Sequence, residues 1–136
     1  MATITTLAKN VRVLIAAGTS VAVSPDVVRG AVDLRTAQGG LLTIKLTNGA
    51  TGPTVAPQVN ILIAHNEGAT PALASKGADW KTLWSFAGDT TANSITEQSI
   101  SIDPACMHVE VEVTGNTGQA VVCEAILSEI TSSLSV

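Results

Sequence analysis

The sequence predicts an all-β fold, an antiparallel β-sandwich of about eight strands, and three observations predict it. Apolar and polar residues alternate with a period of two from end to end, while no window of a dozen residues carries a capped helical stripe. The alternating segments are divided by clusters of Gly, Pro, Asp and Asn, the rhythm of sandwiches and barrels. Val, Ile and Thr are abundant throughout, and their branched Cβ suits a pleated, half-buried surface better than a helix.

Residues 1–9, rich in Thr and Ala and without a pairing pattern, are expected as an N-terminal arm outside the sandwich, free to clasp a neighbour. Residues 10–136 then form a single β-sandwich domain. The first two strands are read at residues 10–16 and 30–35. Gly39 and Gly40 open the third, where Leu42, Ile44 and Leu46 share one face and Thr43, Lys45 and Thr47 the other. After the turn-rich TNGATGP, Val59, Ile61 and Ile63 alternate with Asn60 and Leu62 in the fourth. A short helix is expected within residues 71–76. The fifth strand, at residues 80–87, carries Trp80, Trp84 and Phe86 at one parity, which assigns all three rings to the core. The sixth is read at residues 94–102. In the seventh, the cleanest of the set, Val109, Val111 and Val113 alternate with His108, Glu110 and Glu112, and the polar set reads as a solvated face. Gly115, Asn116, Thr117 and Gly118 then read as a tight hairpin into the last strand, within the apolar run 119–127.

At 136 residues one core suffices. Apolar residues make up 46% of the chain and charged residues 13%, against about a quarter in an average soluble protein, so part of the exterior is expected to be hidden in an oligomer or assembly. The net charge of −4 and the scattered Lys and Arg residues argue against nucleic acid as a partner. No stretch approaches the roughly 20 continuous apolar residues that span a bilayer, so no membrane partner is expected. Lys9 and Arg12 fall inside the N-terminal apolar segment instead of ahead of it, so no signal peptide is read. Cys106 and Cys123 are compatible with reduced thiols or one disulfide, and read best as two small buried hydrophobes.

The raw materials of catalysis are thin, and no enzyme, metal or cofactor is expected. His65 and His108 are the two histidines, and neither belongs to a ligand pair such as H-x-H. His65 reads as a strand end entering a loop. His108, Glu110 and Glu112 share a strand face, which would suit three metal ligands, but a solvated face explains them without second-shell support. Asp79, Asp89 and Asp103 stand beside strand boundaries, where an aspartate bonds nearby backbone N–H groups. Gly39 and Gly40 precede a strand and not a helix, so no phosphate loop can be drawn. Aromatic residues make up 2% of the chain and Tyr is absent, which weighs against a sugar-binding surface.

One segment goes beyond general β-character: Ala31-Val32-Asp33-Leu34, then Gly39-Gly40-Leu41-Leu42-Thr43-Ile44, then Thr47-Asn48-Gly49-Ala50-Thr51-Gly52-Pro53-Thr54 and the strand that follows. With the Trp-bearing strand and the Gly115–Ala125 stretch, it resembles head decoration (cement) proteins of tailed bacteriophages, over residues 30–127. The first thirty residues carry none of these motifs. The resemblance implies a jelly-roll-like sandwich, made in the host cytoplasm, that assembles as a homo-oligomer, a trimer by preference. Such proteins bind the major capsid protein on the outside of the DNA-filled head. Contact residues are then expected in the arm, at Thr3, Thr5 and Leu7, and in the turn, at Thr51, Pro53 and Val55. The alternative is a receptor- or carbohydrate-binding β-sandwich module of a phage tail or cell-surface protein, which needs exposed rings at Trp80 or Trp84.

Overall fold

The computed structural model describes residues 5–74 and 79–135, with side chains at residues 7–74 and 79–131. Eight strands follow in order: β1 (Thr5–Val21), β2 (Val27–Asp33), β3 (Gly40–Asn48), β4 (Gln58–Ala64), β5 (Lys81–Ala87), β6 (Ile95–Ile102), β7 (His108–Thr114) and β8 (Val121–Ser135). They form two four-stranded sheets, ordered β1-β8-β3-β6 and β2-β7-β4-β5, with every pairing antiparallel. This order is that of a jelly roll, in which successive strands pass from one sheet to the other except at β4 and β5.

Alternation fixes which side chains meet between the sheets. Leu42, Ile44 and Leu46 of β3 and Cys123, Ala125 and Leu127 of β8 face Val59 and Ile61 of β4 and Val109, Val111 and Val113 of β7 in one buried cluster. The turn TNGATGPT is structural. Buried Asn48 donates from Nδ2 to the carbonyls of Asp89 and Thr91 at 2.8 and 2.9 Å, tying the β3–β4 connection to the β5–β6 turn. Gly39 opens β3 at φ +72°, and a Cβ there would stand 2.2 Å from the Ile102 carbonyl oxygen, so glycine is required on two grounds.

Three sequence expectations are corrected. The stretch from Gly115 to Gly118 is not a hairpin: both glycines take positive φ, as a turn needs, but β7 and β8 lie in different sheets, so the turn is a corner. Asn116 holds that corner, donating from Nδ2 to the carbonyls of Val21 at 3.1 Å and Gln119 at 3.0 Å while its backbone carbonyl accepts the Ser24 N–H at 2.7 Å. Trp80 does not share the core with Trp84 and Phe86. A register shift between Ile61 and Leu62 leaves Trp84 opposite Ile61 but Thr82 opposite Leu62, and this bulge carries Trp80 to the outer face of its sheet. Residues 71–74 are not helical; 75 and 76 lie outside the described residues.

Residues 5–9, expected in the arm, belong to β1 and pair with the far end of β8, beyond the part of β8 that β3 reaches. Residues 1–4 lie outside the described residues. Cys106 and Cys123 are free and buried, and burial pushes the Cys123 thiol up to about 11.

Candidate functional site

The two sheets differ in what lies on their outer faces. Across the β2-β7-β4-β5 sheet, register aligns Arg29, Glu112 and Asn60 in one row, Ala31, Glu110 and Leu62 in the next, and Asp33, His108 and Ala64 in a third. These rows are covered by the chain itself. Residues 65–74 and Trp80, from the β4–β5 connection, close over them, so that Leu62, Ala64 and Trp80 form a second buried cluster with Ala31 and Ala74 packed against it. The cover is bolted at several points. His108 Nε2 donates to the Asn66 carbonyl at 2.9 Å, Trp80 Nε1 to the Ala72 carbonyl at 2.8 Å, and an Arg35 guanidinium nitrogen to the Glu67 carbonyl at 2.9 Å.

His108, Glu110 and Glu112 are therefore buried, which overturns their reading as a solvated face. Glu112 pairs closely with Arg29 and accepts from Asn60 Nδ2 at 2.8 Å. Glu110 is fully buried, 3.8 Å from Arg29, and neither of its oxygens closes a well-formed hydrogen bond. Burial pushes its carboxyl up to about 7, Glu112 adds to the rise, and Arg29 and the Ala74 backbone pull the other way. His108 Nδ1 faces Asp33 at 3.8 Å. Asp33 is held down to about 2, first by its fork of hydrogen bonds from Arg35. Among the described residues no group of three or more His, Cys, Asp and Glu side chains is arranged to hold a metal ion.

The outer face of the β1-β8-β3-β6 sheet has no cover among the described residues. Register sets Val11, Ser128, Leu41 and Ser101 in one row, Val13, Ile126, Thr43 and Ser99 in the next, then Glu124, Lys45 and Glu97, then Val122, Thr47 and Ile95. Val11, Val13 and Ile95 are about 60% exposed, at 62%, 61% and 58%, and Leu41 and Val122 at 50% and 40%. Apart from that charged row and Lys9 at one end, the described residues of this face are mostly Val, Leu, Ile, Ser and Thr. A hollow of 630 Å³ at one end of it is lined by Lys9, Gln38, Leu41, Ser101, Pro104 and Ile130, with Lys9 the one ionisable group in it. His65 is exposed just beyond β4, at the start of the loop, as the sequence suggested.

The contact residues read from sequence do not gather. Leu7 is exposed beside the C-terminal end of β8, whereas Thr51 and Val55 are exposed near the β7–β8 corner at the other end, with Val55 bridging to Thr117. Pro53 is buried, and Thr3 and the Thr5 side chain lie outside the described residues. The missed face was legible in part, since Thr43, Lys45 and Thr47 mark the outward parity of β3, but its extent needs the strand order.

No family model and no curated protein matches the sequence. Solved structures are similar to the chain in fold. PirA aligns with a TM-score of 0.54 at 11% identity, over 88% of this chain and 92% of that one. The K3 cleaved adhesin domain of Lys-gingipain from Porphyromonas gingivalis W83 aligns with a TM-score of 0.52 at 8% identity, over 74% of this chain. This chain spans 62% of that domain's length. At such identities the likeness is one of fold alone. The protein YomS of the SPBc2 prophage aligns over 92% of this chain and 96% of its own at 19% identity, with a TM-score of 0.44, too low to argue from.

Proposed function

We propose that the chain is a structural protein of a tailed-phage particle, which binds the outside of the capsid as a homo-oligomer, a trimer in this reading, and braces the shell. The observation that carries the reading is the contrast between the two outer faces. The β2-β7-β4-β5 sheet is covered by its own chain, whereas the β1-β8-β3-β6 sheet presents Val11, Val13, Leu41, Ile95 and Val122 to solvent. A face this poor in charge supports contact with the major capsid protein through buried area, and about 800 Å² per partner suffices for specific binding. Repetition over a lattice then multiplies modest affinities. The carbohydrate-binding reading lacks its platform: Trp80 is fully buried, and Trp84 and Phe86 are half-buried against the core with ring centroids 5.2 Å apart.

The test mixes the protein with undecorated tailed-phage heads and measures saturation and the temperature of disruption. Saturating, symmetric binding that raises that temperature is expected, together with its loss in Leu41→Glu. Heads left unbound and unstabilised would remove the reading.

A further inference from the structure

We propose that residues 65–74 form a proton-dependent strap over the β2-β7-β4-β5 sheet: a neutral Glu110 lets the strap lie closed, and an ionised Glu110 loosens it. The geometry is that of an acid with nowhere to put its charge. Glu110 is fully buried beneath the strap and its oxygens lack well-formed hydrogen bonds. Among the described residues the cation paired with it is Arg29, which stands 3.8 Å away and is closely engaged with Glu112 on the same strand face. Ionised, the two carboxylates both face the Arg29 guanidinium beneath the cover, and a buried charge without adequate partners is costly. Water reaches the carboxylate most directly if the strap lifts.

The groups packed around Glu110 leave it the natural trigger. From β2 it is faced by Arg29, one row away on one side, and Asp33, one row away on the other; from β7 by Glu112 and His108; from β4 by Asn60 and Leu62, which do not ionise. Lys81 lies exposed at the start of β5, and the strap contributes the Ala74 backbone together with His65 and Glu67, whose side chains are exposed. His108 is the rival trigger, because its Nε2 bonds the strap at Asn66 and its Nδ1 faces Asp33. The upward displacement of the Glu110 carboxyl to about 7 puts the loosening near neutral pH.

Hydrogen exchange of the intact chain between pH 5 and 9 tests this, with protection factors for peptides within residues 66–74 corrected for intrinsic exchange. Protection in the strap is expected to fall at least about tenfold as pH rises through neutrality, the equivalent of one pKa unit, while strands of the sandwich core keep theirs. Glu110→Gln should abolish the fall and His108→Gln should retain it. A wild-type strap indifferent to pH, or a fall that survives in Glu110→Gln, would overturn the proposal. Should Glu110→Gln not fold, carbon-13 NMR titration of the wild-type Glu110 carboxyl decides: a midpoint shared with the loss of protection supports the strap, and separate midpoints refute it.

Discussion

Replacing Asn116 tests the corner that joins the two sheets. Its side chain is fully buried and its Nδ2 feeds two carbonyls, of which that of Val21 belongs to a buried residue. Asn116→Ala removes two hydrogen bonds at about 1 kcal/mol each, a loss of about 2 kcal/mol at any pH. Asn116→Asp keeps the shape but replaces the donor with an acceptor once ionised. A protonated carboxyl still donates one O–H, so at pH 4 the aspartate variant should be the more stable of the two. At pH 8 the side chain must either bury a charge against two carbonyls or stay neutral. Staying neutral costs up to about 5 kcal/mol, from roughly four pH units above an ordinary aspartate at 1.36 kcal/mol each. The order of the variants should therefore invert between pH 4 and pH 8. Urea denaturation of both variants at the two pH values, read by tryptophan fluorescence, measures this. Equal losses at both pH values would refute the placement of Asn116 as a buried donor to the corner.

Three further outcomes follow from the same structure. Gly39→Ala should destabilise by more than about 1 kcal/mol in thermal or urea unfolding, because it combines positive φ with a close approach to the Ile102 carbonyl. Wild-type stability should decline as pH rises from 4.5 to about 7, since folded Glu110 keeps its proton through the range in which the unfolded chain loses it. That loss is about 3 kcal/mol, and Glu110→Gln should flatten the slope in urea titrations taken at successive pH values. Cys106 and Cys123 should react with a thiol reagent only on unfolding, at rates that follow denaturant, because burial keeps both thiols protonated and covered.

The strands were legible because one face of most of them is apolar: Leu42, Ile44 and Leu46, or Val109, Val111 and Val113, declare both strand and core side without any partner. What alternation does not declare is which polar face is covered. His108, Glu110 and Glu112 alternate with valines as a solvated set would, and their cover is a connection of small and polar residues with no pattern of its own. Arg29, at a parity that meets Glu112 across the sheet, was the one available sign that this face needed internal pairing. Trp80 was misplaced because parity was counted through a bulge, and a single extra residue in β5 reverses every side chain beyond it. The corner at Gly115 and Gly118 has the residues of a hairpin because positive φ is a demand of the turn, whichever sheet the next strand joins. Leu7 and Val55 were separable only once β1 had been laid along β8.

The orientation of the bound protein on an undecorated phage head tests the central claim most directly, through cryo-electron microscopy of heads saturated with the chain. Density is expected at symmetric positions with the β1-β8-β3-β6 sheet turned toward the shell and the strap at residues 65–74 turned away. Heads that stay bare, or density that seats the strap side against the capsid, would contradict it.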